Sequence, residues 1–255
     1  MTYSSPLDKW ALITGCPNGF APSIAKALAA AEFNIFLHGR NGLELEKLCL
    51  LLRESYPSLN FVAVDLFVSC ADDALILVDY ISERLTQLRV VVHHLGGTLN
   101  IRSSMAPTDD WAKVLFHNCL FSFEINRLLV PYLKMHDYSR IINIGSVSAI
   151  SLRGSAPYAC SKALLNAYTK TLGRELADSS IGVSCISLGA FETRNSNWSV
   201  YRNTNPSIIA DFLSHHQASA RLGRTDEIIP VIKMILDPSF SFGQGAIIDY
   251  DGGTM

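Results

Sequence analysis

Hydrophobic residues along the chain alternate between short runs of β-branched and aromatic side chains and longer amphipathic stretches. This alternation is typical of repeated β-α-β units, in which helices cover both faces of a parallel sheet. Several short runs are apolar on successive residues, as strands buried on both faces require. The pattern therefore predicts an α/β fold with a doubly wound, seven-stranded parallel sheet in a single domain, residues 1–255. The predicted strands cover residues 10–14, 33–38, 60–64, 89–95, 140–146, 182–188 and 246–249.

The amphipathic stretches predict helices, and one long segment predicts a loop. Residues 190–220 are rich in Asn, Ser and aromatic side chains and show no periodicity of their own. A long loop inside a compact α/β domain is more often functional than accidental, so we expect this segment to lie over a substrate site. The predicted helices cover residues 22–31, 43–55, 72–87, 108–136, 156–178 and 226–236.

Composition excludes several classes of function. The chain has 21 Lys plus Arg and 23 Asp plus Glu, a net charge of −2, which gives no sign of nucleic-acid binding. No apolar run approaches the roughly 20 residues that span a bilayer, and the first ten residues lack a signal pattern. We therefore expect a cytoplasmic protein with no membrane partner. Six widely spaced cysteines and histidines without a third ligand predict reduced thiols and no metal site.

A glycine-rich turn, residues 14–21 (TGCPNGFA), follows the first predicted strand. Glycines at a strand-to-helix turn let the backbone approach a pyrophosphate, which the amides at the helix N-terminus then stabilise. Tight turns also use glycine for conformational reasons alone, but the position in the first β-α-β unit favours nucleotide binding. We expect Gly15, Asn18, Gly19 and Phe20 to contact a dinucleotide.

Arg40 stands at the end of the second predicted strand, where sites for NAD usually place a carboxylate near the ribose 2′-hydroxyl. An arginine there would instead bind a 2′-phosphate through charge-assisted hydrogen bonds. The sequence therefore predicts NADP(H) in preference to NAD(H). The alternative is that Arg40 is a solvated surface residue that opens the next helix.

Tyr158 and Lys162 are four positions apart at the start of a predicted helix, and hence on one of its faces. The ammonium favours tyrosinate, so Tyr158 could exchange a proton with the oxygen of a carbonyl that receives hydride. Ser146, twelve residues upstream, ends an apolar strand, where its hydroxyl could hydrogen-bond the same oxygen. In isolation this Tyr and Lys spacing is better explained by chance. The strand-end serine and the glycine turn together favour a catalytic site.

Together these features make the sequence similar to the short-chain dehydrogenase/reductase family, and in particular to its 3-oxoacyl-acyl-carrier-protein-reductase-like branch. The resemblance covers essentially the whole chain. The likeness to the branch rests on the segment 221–228 and on the glycines within 243–253. The family matches are the turn at 14–21, Asp65 after the third strand, Asn118 in the central helix, Ser146, the pair Tyr158 and Lys162, and the Gly-x-x-x-Thr segment at 189–193.

The resemblance implies a Rossmann dinucleotide-binding domain with four catalytic residues. Tyr158 would act as acid and base, Lys162 would stabilise the tyrosinate and bind the nicotinamide ribose, Ser146 would orient the carbonyl, and Asn118 would hold a proton-relay water. Asp65 would meet the adenine and Thr193 the carboxamide end. The cofactor contacts expected besides the glycine turn, Arg40, Tyr158 and Lys162 are Asp65, Leu66, Gly96, Gly189, Phe191 and Thr193.

The sequence also departs from the family pattern. His93-His94-Leu95-Gly96 replaces the usual Asn-Asn-Ala-Gly after the fourth strand, so the polar contacts that brace that strand must be made differently. Ala21 stands where the family commonly has a third glycine, and Leu188 replaces a proline. The separation of Ser146 and Tyr158 is slightly short, and Ser148 is an alternative serine if the strand continues.

The leading hypothesis is an NADP(H)-dependent oxidoreductase that interconverts a ketone and a secondary alcohol. The alternatives are 3-oxoacyl-acyl-carrier-protein reduction and a non-catalytic nucleotide-binding scaffold on the same fold. We expect a small-molecule substrate, polar and either sugar-like or anionic, because Arg194, Arg202 and Trp198 lie in the segment 190–220 and Arg153 lies near the mouth. The family resemblance also implies a homodimer or homotetramer built on the long central helices and the C-terminal strand.

Overall fold

The computed structural model describes residues 8–152, 154–194 and 196–254. Its main sheet has seven strands, parallel at every pairing, in the order β3-β2-β1-β4-β5-β6-β9. Both the number of strands and their direction confirm the predicted fold class. The strands are β1 (Trp10–Cys16), β2 (Asn34–Gly39), β3 (Phe61–Asp65), β4 (Leu88–His93), β5 (Ser139–Ser146), β6 (Ile181–Leu188) and β9 (Ala246–Tyr250), and β7 (Phe191–Glu192) pairs with β8 (Gly223–Arg224) in a small second sheet.

Helices cover both faces of the main sheet, as the alternating pattern predicts. Successive residues of β1 point to opposite sides, so that Ile13 joins a core with Ile24 while Leu12 joins a core with Phe121. The sheet is thus buried between two apolar layers, which explains its near-continuous apolar strands. The helices are α1 (Ala21–Ala30), α2 (Gly42–Ser55), α3 (Asp72–Tyr80), α4 (Thr108–Leu115), α5 (Phe121–Leu133), α6 (Ser148–Ser151), α7 (Ala156–Glu175), α8 (Asn197–Thr204), α9 (Pro206–His216) and α10 (Ile228–Leu236).

The order of the strands reverses at β1, which pairs with β2 on one side and β4 on the other. Connections therefore leave the carboxyl ends of β1 and β4 in opposite directions, and a crevice opens between them. This crevice is where doubly wound sheets bind their ligands. The glycine turn after β1, the segment after β4 and the end of β5 all meet there.

Three predicted elements differ from the structure. The predicted helix 108–136 is divided into α4 and α5 by a π-helical turn, Phe116–Leu120. The predicted helix 72–87 ends at Tyr80 and is followed by a 3-10 segment, Ser82–Gln87. The segment 190–220 is not an irregular loop, because it contains α8 and α9. Its Asn, Ser and Thr residues have low helix propensity and hide two short helices, which a Ser196 cap and Pro206 begin.

Within the described part of the chain, no helix combines the length and the apolar character that crossing a bilayer requires. All six cysteines are free thiols, and four of them, Cys16, Cys49, Cys119 and Cys185, are buried. The cysteines are therefore mainly small core residues, as their wide spacing predicts.

Candidate active site

A cleft of about 1080 Å³ lies at the carboxyl ends of the central strands and runs from the glycine turn to α8 and α9. It brings together most of the residues that the sequence singles out, although they come from segments up to 178 positions apart. Twelve of the predicted site residues line it: Gly15, Asn18, Gly19, Phe20, Arg40, Leu66, Gly96, Ser146, Tyr158, Lys162, Gly189 and Thr193.

Three predicted residues lie beside the cleft rather than on its surface. Asn118 is buried directly behind Gly96. The Asp65 carboxylate turns toward the start of α2, where a Cβ on Gly42 would come within 2.6 Å of it. Phe191 packs edge-to-face on Phe20, with ring centroids 5.0 Å apart, and so supports the glycine turn from behind.

The glycine turn needs glycine at Gly15 for two reasons. Its φ is +81°, in the left-handed region that other residues rarely adopt, and a Cβ there would lie 2.5 Å from Leu95 Cα. The turn after β1 therefore touches the segment after β4 backbone to backbone. This close approach forms the floor of the crevice.

His94 braces the glycine turn, and it does so as a neutral imidazole of one tautomer. Its Nε2 accepts a hydrogen bond from the Phe20 backbone N–H at 3.2 Å, so the proton must be on Nδ1, which donates to the Gly15 carbonyl at 3.1 Å. His94 is partly exposed to the cleft, but loss of hydration still lowers its pKa to about 4. His94 thus makes the bracing contacts that the family pattern assigns to other residues.

His93, the other histidine of the pair, points to the opposite face and away from the cleft. Its Nε2 lies 2.8 Å from Asn126 Oδ1, and Asn126 in turn donates to the Tyr168 hydroxyl at 3.1 Å. Burial lowers the pKa of His93 to about 4. These two hydrogen bonds link β4 to α5 and α7, and the side chains that make them do not line the cleft.

The start of α7 fixes the position of Tyr158. Ser155 caps the helix by accepting the Tyr158 backbone N–H at 3.4 Å, and its hydroxyl donates to the Ile101 carbonyl at 2.5 Å. One turn later Lys162, only 4% exposed, donates from Nζ to the Ile144 carbonyl at 2.8 Å. Its ammonium lies 5.6 Å from the centre of the Tyr158 ring. The predicted pairing on one helix face is therefore present, with the lysine anchored to β5.

Ser146 is the last residue of β5 and presents its hydroxyl to the cleft. Ser148 does not continue the strand, because it begins the short helix α6, and its backbone N–H donates to Ser146 Oγ at 3.2 Å. The condition for an alternative serine on the same strand face is therefore not met. Ser148 instead holds the Ser146 hydroxyl in place.

Asn118 lies in the π-helical turn between α4 and α5. Its amide donates to the Gly97 and Val114 carbonyls, both at 2.8 Å, and its Oδ1 accepts the Gly97 backbone N–H at 2.9 Å. A Cβ on Gly96 would lie 2.8 Å from Asn118 Oδ1 and 3.2 Å from Lys162 Nζ. The side chains of Asn118 and Lys162 therefore converge behind Gly96, and a side chain at this position would have to displace them.

The nucleotide end of the cleft is positively charged. Arg40 is exposed at the end of β2, and the imidazole of His117 faces it across the cleft. Burial, followed by the positive charges of Arg40 and Lys162, lowers the pKa of His117 to about 4. His117 is thus neutral near pH 7, and Arg40 supplies the charge at this end.

The cover segment, α8 and α9 (residues 197–216), closes the other end of the cleft. Trp198 lies at its centre, with its ring 4.6 Å from that of Phe212 and 6.3 Å from that of Tyr201. These rings pack on a small apolar cluster, separate from the two main cores, whose buried members are Ala190, Ile209 and Leu222. Trp198 therefore anchors the cover segment and also lines the cleft.

The arginines predicted to attract a substrate are placed differently. Arg194 lines the cleft but pairs with Glu44 of α2 at 3.5 Å. Arg202 binds Glu192 through two hydrogen bonds of 2.5 and 2.6 Å and does not line the cleft. Arg153 lies outside the described residues.

Sequence reasoning missed three features of the cleft. His94 could have been assigned to the glycine turn, because a residue two positions before Gly96 must lie at the crevice between the carboxyl ends of β1 and β4. Arg102 lines the cleft and follows no motif, so the sequence gives no signal for it. Phe212 could have been found only by recognising α9 as a helix.

The family model described as short chain dehydrogenase matches residues 9–202. A rhamnolipid-biosynthesis 3-oxoacyl-(acyl-carrier-protein) reductase of Pseudomonas aeruginosa is 28% identical over 257 residues, which cover 98% of each chain. A 3-oxoacyl-(acyl-carrier-protein) reductase of Synechocystis is 25% identical and 96% of each chain is covered. L-sorbose reductase of Gluconobacter frateurii, solved with NADPH and L-sorbose, superimposes with a TM-score of 0.87 over 96% of each chain at 21% identity, which shows a common fold.

Proposed function

This chain belongs to the short-chain dehydrogenase family, and on that premise we propose that it is an NADP(H)-dependent oxidoreductase that interconverts a polar ketone and its secondary alcohol. One observation carries the proposal. Tyr158, Lys162 and Ser146 line the same cleft as the glycine turn and Arg40. One cleft thus holds both a proton donor for a carbonyl oxygen and a site for a phosphorylated dinucleotide.

The residues of the cleft fit a dinucleotide with a 2′-phosphate. Gly15 and Gly19 line the cleft, and a side chain on Gly15 would collide with the Leu95 backbone, so the turn stays tight enough for its own backbone to approach a pyrophosphate. Arg40 would bind the 2′-phosphate, and no Asp or Glu is among the described residues that line the cleft to repel it. Gly189 and Thr193 would lie at the nicotinamide end. The solved structures of L-sorbose reductase of G. frateurii and of a Pseudomonas aeruginosa protein of the same fold, which contain NADPH and NADP respectively, support this choice.

The chain's own residues supply the proton chemistry. When bound, the nicotinamide supplies hydride to the carbonyl carbon in reduction and accepts it in oxidation. Tyr158 donates its hydroxyl proton to the carbonyl oxygen as that oxygen becomes an alcohol, and takes a proton back in the reverse direction. Ser146 donates a hydrogen bond to the same oxygen and stabilises its developing negative charge.

Lys162 has two tasks in this mechanism. Its ammonium has three N–H donors, and one is used by the Ile144 carbonyl. The other two are available to ribose hydroxyls, while the positive charge stabilises tyrosinate. Asn118 uses both N–H groups of its amide on main-chain carbonyls, so it would hold the relay water that returns a proton to the tyrosine through an oxygen acceptor.

The substrate end favours a polar ketone. Several hydroxyl and amide side chains line the cleft, and directed hydrogen bonds from such groups suit an oxygenated substrate better than a long acyl chain. The aromatic cover segment adds one apolar wall. The polar lining residues at this end are Thr98, Asn100, Ser148, Ser151, Ser155, Ser196 and Asn197.

Reduction of a 3-oxoacyl carrier protein is the second candidate. It is supported by relatives of that name that match over nearly the full length of this chain, at 28% and 25% identity. It predicts turnover of acyl-thioester mimics in preference to small polar ketones.

The experiment follows NADPH oxidation with a panel of keto sugars, charged ketones, small apolar ketones and acyl thioesters. A clear kcat/KM advantage for the polar ketones supports the main proposal. An advantage for the thioesters supports carrier-protein reduction instead. Tight NADPH binding without turnover of any member would favour a nucleotide-binding scaffold.

We also propose that the chain assembles as a homodimer or homotetramer. Among the leucines of the central helices, Leu129 belongs to the core, whereas Leu120 is 42% exposed and is available for a subunit contact. Light scattering at micromolar concentration tests this, and a monomer would refute it.

A further inference from the structure

The charged residues that line the cleft are all basic. They are Arg40, Arg102, Lys162 and Arg194, and no Asp or Glu appears among the described residues of the lining. The chain as a whole has more acidic than basic residues. The positive charge of the cleft is therefore a local feature and points to an anionic occupant.

Three of the four basic residues already have a contact or a role. Arg40 lies at the nucleotide end, Lys162 donates to the Ile144 carbonyl, and Arg194 pairs with Glu44. Arg102 has no role so far, and its guanidinium, like that of Arg40, makes no hydrogen bond or ion pair with any residue of the described chain. An exposed arginine at the wall of a cleft without acids keeps its full capacity to bind an anion.

The backbone of Arg102 is held at the start of α7, the helix that carries Tyr158. Its carbonyl accepts the Ala156 N–H at 3.2 Å, two residues before Tyr158. The preceding carbonyl, of Ile101, accepts the hydroxyl of Ser155, the residue that caps α7. Arg102 therefore lies at the substrate end of the cleft, where its backbone is anchored and its guanidinium has no partner among the described residues.

We propose that Arg102 binds an anionic group of the substrate, a carboxylate or a phosphate, while Tyr158 acts on the carbonyl. This inference rests on the ketone-reductase function proposed above and narrows its substrate class. The planar guanidinium presents paired N–H donors that match two oxygens of either group. A neutral sugar would leave those donors to water.

The test uses two matched pairs of ketones that differ in charge. Dihydroxyacetone phosphate is compared with dihydroxyacetone, and a γ-keto acid is compared with its primary amide. For each pair the ratio of kcat/KM, charged over neutral, is measured in the wild type, in Arg102→Gln and in Arg102→Lys. Arg174→Gln is the control, since Arg174 is exposed at the far end of α7 and its loss changes the total charge equally.

We expect the wild type to favour the charged member of at least one pair, and Arg102→Gln to lower that ratio by about tenfold to a hundredfold, mostly through KM. Arg102→Lys should recover part of the ratio, and Arg174→Gln should leave it unchanged. The pair that responds identifies the anion as phosphate or carboxylate. Added salt should raise KM for the charged member more than for the neutral one.

Several results would overturn the inference. Equal use of both members of each pair by the wild type would show that no anion is recognised, while leaving the ketone-reductase function intact. An equal loss on charged and neutral ketones in Arg102→Gln would show that the arginine only supports the loop. If NADPH binds but none of the ketones is reduced, the proposed function itself is rejected.

Discussion

The two ends of the substrate site are built in different ways. On one side, the proposed catalytic wall (Ser146, Tyr158, Lys162 and Asn118) is held by hydrogen bonds with main-chain groups of β5, of α6 and of the segment after β4. On the other side, the cover segment is held by a small aromatic cluster and by ion pairs at the surface, such as Arg202 with Glu192.

This difference suggests that the wall serves the proton transfer and the cover segment serves substrate recognition. Main-chain partners in a buried sheet leave a side chain little freedom, so the wall can place a proton donor accurately. Exposed ion pairs contribute little to stability and exchange readily with water. We therefore expect the cover segment to determine which substrate binds and the proposed catalytic wall to keep one geometry.

The largest effect is expected at the wall. Tyr158→Phe removes the proton donor and should lower kcat by about a hundredfold to ten-thousandfold. The affinity for NADPH, measured by fluorescence titration, should change by less than about threefold, because the lost hydroxyl acts on the reacting oxygen. Tyr80→Phe, at an exposed tyrosine of α3, is the matched control. Turnover close to that of the wild type would mean that the proton comes from another group.

The next effect concerns the nucleotide end. Arg40→Gln should lower kcat/KM for NADPH by about tenfold to a hundredfold and should change kcat/KM for NADH little, because only NADPH carries the 2′-phosphate. Steady-state kinetics with both cofactors measures the ratio. A wild type that uses NADH as well as NADPH would contradict the assignment of Arg40.

His94 connects the wall to the glycine turn, and its replacement should have an intermediate effect. His94→Ala leaves the Phe20 N–H and the Gly15 carbonyl without their partner, which should lower the free energy of unfolding by about 1–3 kcal/mol. The affinity for NADPH should fall with it, about tenfold. His94→Asn, which can restore one of the two hydrogen bonds, should be affected less. Chemical denaturation and titration would show no change if the turn held its shape unaided.

Acid should lower the free energy of unfolding through His94 and three other buried or partly buried histidines. His38, His93, His94 and His117 have a pKa of about 4 in the folded chain, against about 6.5 when unfolded. Between these values the unfolded chain binds more protons, so the free energy of unfolding falls as the pH is lowered from about 6.5 to about 4. In His94→Asn the fall should be shallower. A stability that is flat across this range would contradict the neutral state of these side chains.

The smallest effect is expected in the cover segment. Trp198→Ala removes the central ring of its cluster, and it should raise KM several-fold while leaving kcat and the thermal midpoint close to their wild-type values. The cluster is separate from the two main cores, so global stability does not depend on it. A large loss of kcat would show that the cover segment also positions the reacting groups. The wall and the cover segment would then not have separate roles.

The sequence predicts the wall far better than the cover segment, for physical reasons. The seven strands, Tyr158 with Lys162, and the strand-end Ser146 follow from periodicity and spacing, because a buried strand and one helix face impose fixed repeats. The helices α8 and α9 are stabilised by contacts between Trp198 and Phe212, which lie in different helices 14 positions apart and impose no repeat. Local propensity therefore favours a loop there, and tertiary packing overrides it.

Side-chain partners were also beyond prediction. Arg202 and Arg102 look alike in the sequence, yet Arg202 is neutralised by Glu192, whereas Arg102 has no partner among the described residues and lies at the wall of the cleft. The role of His94 depends on two backbone groups 74 and 79 positions away. Such contacts depend on how the segments after β1 and β4 meet, which periodicity alone does not specify.

The π-helical turn Phe116–Leu120 has a consequence for how this chain can change in length. A π-helical turn holds about one more residue than a turn of α-helix, so the extra residue is accommodated there without rotating α4 relative to α5. Deleting one residue within the turn would restore a continuous α-helix and leave the packed faces of α4 and α5 in their present directions. The deletion would, however, remove the wide turn in which Asn118 lies. The packing of this helix on the sheet therefore tolerates the loss of one residue here, whereas the position of the Asn118 side chain does not.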